Sequence, residues 1–230
     1  MLGALADMAI HVVTKDCTAL SDADLAEMAD LSESVGDGFE IGVLSKQAEA
    51  WVLATLARRD DRLVGFSFCT LERIGGTPSV LVGLACVARC DDAPDILSAI
   101  IRDKLRRAVL AFPDEDVLIG SRMVHGNAFE AYATLNDIVP RPGHKASGEE
   151  RAWGRRLAKR FGVETSAYDD RAFVARGDGA MSCRFDYRSE SSVDTDIEAL
   201  FNGLETDKGD VLVAFGWAMA EYLDSLLNAA

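Results

Sequence analysis

A chain of 230 residues, 49% hydrophobic and 27% charged, is long enough to bury a sizeable core as one large domain or two small ones. Its formal net charge of −14 argues against a nucleic-acid binder, because phosphate contacts need a basic field; it mildly favours cationic substrates, but a plain acidic, soluble surface is the better account. No apolar run approaches the roughly 20 residues of a membrane span, and the apolar start at residues 1–10 carries Asp7 without a basic flank, so it does not read as a secretory signal. A cytoplasmic protein with no membrane and no nucleic-acid partner is the expectation. The five cysteines are scattered; Cys86 and Cys90 lack the paired spacing of a zinc site. No metal is expected, and the thiols read as reduced and core-forming.

In chain order, residues 10–14 (IHVVT) begin a short strand just after Met8, so residues 1–7 are expected to add nothing to the core. Ser21 is an N-cap candidate, with Asp22 and Asp24 in the first turn where the helix dipole favours carboxylates; Leu25, Met28 and Ala29 give that helix its buried side. Residues 34–39, with two glycines, break it, and 40–50 form a second, weaker helix. Residues 51–58 (WVLATLAR) and 63–73 (LVGFSFCTLER) read as a hairpin joined by the polar residues 59–62, and Gly75-Gly76-Thr77-Pro78 turns into the next strand.

That strand, 80–88 (VLVGLACVA), is almost without polar side chains, as expected of one covered on both faces. Residues 94–110 follow as an amphipathic helix with Leu97, Ile101, Leu105 and Ala108 on one stripe and Arg102, Lys104, Arg106 and Arg107 largely off it. Pro113 stops it, and 117–124 (VLIGSRMV) is a second apolar strand. Strand, helix, strand at this spacing is a right-handed crossover between parallel strands, and ligands in such sheets sit beyond the strands' carboxyl ends. Those ends are 89–93 and the segment after Val124.

Residues 126–135 read as a helix capped by Asn127, burying Phe129, Tyr132 and Ala133. Residues 141–160 hold a locally basic run whose Trp153, Leu157 and Phe161 fall at i, i+4 and i+8, an amphipathic helix with a cationic outer face. Beyond Gly162 the pattern predicts strands at 172–176 and 183–187, a helix over 193–204, a strand at 211–215 and a closing helix from Ala218 to Leu227. No linker separates this part, so one elaborated domain over 1–230 is expected.

The element order, with RLVGFSF on the third strand, VLVGLACVA before the crossover helix and the stretch VLIGSRMVHGNAFEAYATLNDIVPRPG, resembles the GCN5-related N-acetyltransferase (GNAT) superfamily. The resemblance covers residues 8–143, with 144–230 as a C-terminal elaboration. It implies an α/β (α+β) fold: a mixed, mainly antiparallel sheet with one parallel strand–helix–strand crossover. It also implies acetyl-CoA as cofactor and a small-molecule or peptide amine as acceptor, with Cys86, Val87, Arg89, Asn127 and Phe129 on the cofactor side. Backbone N–H groups at 87–89 would polarise the thioester carbonyl, and Tyr132 matches a tyrosine that many members use as general acid, the other reading being a tyrosine packed on its helix. The pyrophosphate loop of the family carries glycines, whereas this one reads Arg89-Cys90-Asp91-Asp92-Ala93-Pro94, placing two carboxylates beside an anionic group. His125, just past the second parallel strand, suits acid–base work near neutral pH or is a plain loop residue. Glu72 either deprotonates an amine through water or is an exposed edge carboxylate. Two functions follow: an acetyl-CoA-dependent N-acetyltransferase, or a catalytically silent binding or oligomerisation module, for which a homodimer is one arrangement.

Overall fold

The computed structural model describes residues 9–36, 38–179, 184–190 and 192–228. The expectation for residues 1–7 lies outside these, as does Cys183. The chain runs β1 (His11–Asp16), α1 (Asp22–Ser34), α2 (Ile41–Ala50), β2 (Leu53–Arg59), β3 (Arg62–Ile74), β4 (Thr77–Val87), α3 (Ala93–Ala111), β5 (Val117–Met123), a 3₁₀ helix (Gly126–Tyr132), β6 (Asn136–Val139), α4 (Gly148–Arg160), β7 (Tyr168–Asp169), β8 (Val174–Ala175), β9 (Phe185–Asp186), α5 (Thr195–Ala199), β10 (Val211–Ala218) and α6 (Ala220–Asn228).

These strands form one sheet in the order β1-β2-β3-β4-β9-β5-β10-β8-β7, with β6 also on β10. Pairing is antiparallel from β1 to β4 and between β5 and β10, and parallel between β4 and β5 across the α3 crossover. The expected fold class, mixed α/β with a mainly antiparallel sheet, is what is found. Local chemistry explains the frame. Ser21 and Asp24 close a reciprocal capping box on α1. Asp60 and Asp61, both at positive φ, make the two-residue turn whose twist matches the β2–β3 hairpin.

Two apolar clusters hold the helices to the sheet. One joins α3 and α4 to β4, β5 and β10 through residues such as Ile96, Ile100, Val82, Leu118, Leu157 and Phe215. The other seats α1 and α2, through Met28, Leu31 and Leu44, on Phe66, Phe68 and Leu84. Among the described residues no helix is long and apolar enough to cross a membrane.

Several expectations are corrected. The buried side of α3 is rotated from the expected stripe: Ile96, Ile100 and Lys104 are buried with Leu97 and Leu105, while Ile101 is only partly covered. Lys104 is 2% exposed because its ammonium donates to the Thr55 hydroxyl at 3.0 Å, a polar partner inside the sheet. Thr14 donates to Asp103 at 2.6 Å, so Thr55 is the donor in its 2.8 Å bond to Thr14, and a one-way chain runs Lys104, Thr55, Thr14, Asp103. Residues 126–132 form a 3₁₀ helix with His125 at its N-cap, so Asn127 sits inside the element rather than capping it. Cys90 is exposed, whereas Cys17, Cys69 and Cys86 are buried as expected. The predicted helix over 193–204 is helical only at Thr195–Ala199. The strand expected at 211–215 extends to Ala218 and pairs along the whole of β5.

Candidate active-site crevice where the parallel strands part

β4 and β5 pair in parallel only from Ser79↔Leu118 to Val82↔Ser121. Beyond that they separate, and β9 enters the gap: Phe185 pairs with Ala85 on one side and with Met123 on the other, and Asp186 with Cys86. The Ala85 N–H donates to the Arg184 carbonyl at 3.1 Å. The gap at the strands' carboxyl ends is therefore filled by the chain's own backbone.

The rest of this inserted segment is tied down by side chains. Arg184 donates from Nε to Asp186 at 3.1 Å and stacks its guanidinium over the Phe39 ring at 5.5 Å. The Tyr187 hydroxyl and the Ser189 hydroxyl donate to the two carboxylate oxygens of Glu130, at 2.6 and 2.9 Å, and the Asn127 amide donates to Ser189 at 3.1 Å. Burial raises the Tyr187 phenol above its ordinary value, and its bond to the Glu130 carboxylate adds to this.

His125 stands directly after β5, its Nε2 4.0 Å from the buried Asp186 carboxylate. Burial lowers its pKa; Asp186 opposes that, and Arg188, Arg184 and Arg89 add to it. The net effect favours the neutral imidazole, the form a proton acceptor needs.

The other candidates are distributed differently from the expectation. Cys86 and Val87 are buried in β4, and the Ala88 N–H, one of the three amides expected to polarise a carbonyl, donates to Val64 at 2.8 Å in the strand ladder. Arg89 is exposed and lines a cavity of about 510 Å³ with Arg59, Arg62 and Ser34. Phe129 packs between Tyr132 and Phe201, with centroids 6.2 and 5.9 Å away. Tyr132 is enclosed: its hydroxyl donates to the Ala214 carbonyl at 3.0 Å and meets the Ser121 hydroxyl at 2.8 Å. Burial pushes that phenol above its ordinary range, so in this arrangement it is a packed side chain, not an acid at the crevice. Glu72 pairs with Ser79 at the amino end of β4, the opposite end of the sheet from His125, and its two oxygens are held by Arg160 at 2.6 Å each. Asp92 heads α3 without capping it by its side chain; its carboxylate accepts from Arg59 at 2.6 Å. The Ala93 N–H is bonded to the Cys90 carbonyl at 2.9 Å. Among the described residues no group of three or more His, Cys, Asp or Glu side chains is placed to hold a metal ion.

Residues 184–189 and Glu130 were not legible as site residues. The strand there is expected from the sequence, but its partners are not: the pairing of Glu130 with Tyr187 spans 57 residues of sequence.

No family model matches the chain, and no curated protein does. Among solved structures, the chain is similar to the ribosomal-protein-S18-alanine N-acetyltransferase from Escherichia coli, with 10% identity and a TM-score of 0.40, over 60% of this chain and 86% of that one. It is similar to an acyl-CoA N-acyltransferase from Pseudomonas aeruginosa at 13% identity and a TM-score of 0.40, over 56% and 91%. It is also similar to a GNAT family acetyltransferase from Brucella melitensis in complex with acetyl-CoA, at 18% identity and a TM-score of 0.35, over 47% and 75%.

Proposed function

We propose that the crevice where β4 and β5 part is an acyl-transfer site, for transfer of an acetyl group from acetyl-CoA to a small-molecule or peptide amine, and that residues 184–189 close it in the arrangement described. The observation that carries this reading is the placement of His125: an imidazole just beyond the carboxyl end of β5, with the buried Asp186 carboxylate 4.0 Å away, at the point where a ligand of such a sheet belongs. It can accept the proton of an ammonium group, and the buried Asp186 carboxylate 4.0 Å away favours the imidazolium so formed.

Acetyl-CoA does not fit the residues as they stand. The backbone edges of β4 and β5 are taken by Phe185 and Asp186. The first amide of α3 is spent on Cys90, and Asp91 and Asp92 bring negative charge to the same loop. No transfer step is therefore derived. The filled gap is also the specific observation behind a second reading, in which the chain is a catalytically silent binding module.

Calorimetric titration of acetyl-CoA separates the two. Wild type is expected to bind weakly. A Tyr187→Phe, Ser189→Ala variant, which loosens the segment from Glu130, should bind at least tenfold more tightly and release free thiol when mixed with primary amines. If neither protein binds while both stay folded, the silent module is the correct reading.

A further inference from the structure

A second cavity, of about 630 Å³, opens where the loop between β6 and α4 meets the stretch leading into β8. His144, Lys145, Arg151 and Arg171 line it, with Pro140 and Phe173 as apolar wall, and none of its lining residues belongs to the crevice. In a chain of net charge −14, its lining holds no carboxylate.

The cations of this region divide into two groups. Glu150 is already committed: it accepts from the Ser147 N–H at 2.6 Å, meets His144 at 2.9 Å and pairs with Arg141 at 3.6 Å. Arg155 pairs with Asp170. Lys145, Arg151 and Arg171, by contrast, form no ion pair among the described residues. Arg171 feels the charge of Asp169 without an ion pair to it; the Asp169 Oδ1 accepts from the backbone N–H groups of Arg171 and Ala172 at 2.9 and 3.2 Å. The Nε of Arg151 is buried and has no acceptor. A guanidinium N–H withdrawn from water without an acceptor is costly unless something in the cavity supplies one.

We infer that this cavity binds a small organic anion of the phosphate class carrying two or more negative charges. Three cations without an ion-pair partner suit a multiply charged anion, and guanidinium forks match phosphate oxygens in pairs. The cavity is of ligand-site size and far larger than one phosphate ion, so the phosphate is part of a larger molecule that Pro140 and Phe173 help enclose. This inference is independent of the acyl-transfer reading.

The test is calorimetric titration of the whole chain with pyrophosphate, inorganic phosphate and citrate. Pyrophosphate is expected to bind one to one, more tightly than phosphate and less tightly as salt rises. Arg151→Gln and Arg171→Gln should each weaken it at least tenfold, while Lys46→Gln, an exposed site on α2, should leave it unchanged. Arg171 is exposed, so its variant is informative even if a change at Arg151 disturbs α4. Citrate binding as tightly as pyrophosphate would overturn the phosphate assignment. Absence of binding by all three anions at millimolar concentration, or binding that both arginine variants retain, would overturn the site.

Discussion

The indole of Trp51 lies against the α-carbon of Gly83: a methyl group placed on that glycine would stand 2.3 Å from Cε2 of the ring. The ring is held in place by two further contacts: its Nε1 donates to Gln47 at 2.9 Å, and Phe161 lies tilted at 50° with centroids 6.3 Å apart. Gly83 is thus fixed by close approach in the middle of β4. Gly83→Ala should cost about 1–3 kcal/mol through overpacking, read as a lower urea midpoint at unchanged slope. The same substitution beside Trp51→Ala should cost clearly less than in wild type; equal costs would show that the ring is not the obstacle.

One residue further on, Leu84 is fully buried beneath α1 and α2. Leu84→Ala removes three methyl-sized groups from that cluster and should cost roughly 2–5 kcal/mol. A variant that melts like wild type would mean that β4 is not central to stability.

Tyr132 has a different fragility. Tyr132→Phe keeps the ring but strips the partner from the Ser121 hydroxyl and the Ala214 carbonyl, both deep in the sheet. The expected loss is about 1–3 kcal/mol in denaturant unfolding. A cost near zero would show that water reaches this hydroxyl.

Acid stability reports on the start of α1. Burial works to raise the Asp24 carboxyl, but the Lys15 ammonium and the Ser21 N–H and hydroxyl outweigh it and hold its pKa at about 2. A depressed carboxyl stabilises the fold above its unfolded pKa, near 4, and that contribution is lost as pH falls from about 4 to 2. Asp24→Asn should therefore cost about 1–2 kcal/mol at pH 7, allowing for solvent screening, and the difference from wild type should shrink toward pH 2. A gap that stays constant across this range would assign the effect to the lost cap rather than to the charge.

What could be read in advance was whatever repeats or punctuates. The unbroken apolar run before α3, the Ser21 cap, the hairpin at Asp60-Asp61 and the i, i+4, i+8 spacing of Trp153, Leu157 and Phe161 all report on neighbours along the chain. Lys104 escaped because its place depends on Thr55, 49 residues away in β2. The strand expected at 183–187 is found as β9, but its insertion between β4 and β5 escaped for the same reason, since that pairing joins residues roughly 60 to 100 positions apart. His125 stands just past the carboxyl end of β5, where its place in the sequence puts it; Glu72 lies at the other end of the sheet, which a strand's end alone does not reveal.

β10 also dictates an order of events during synthesis. It is the neighbour of β5 on the side away from β4, yet it is made nearly a hundred residues later, and β6 and β8 then dock on β10 itself. Until residue 218 has emerged, β5 presents an unpaired apolar edge, the kind of surface that invites another chain to pair with it. The first half of this protein therefore cannot complete its sheet while the second half is still being translated, and its folding is governed by long-range closure.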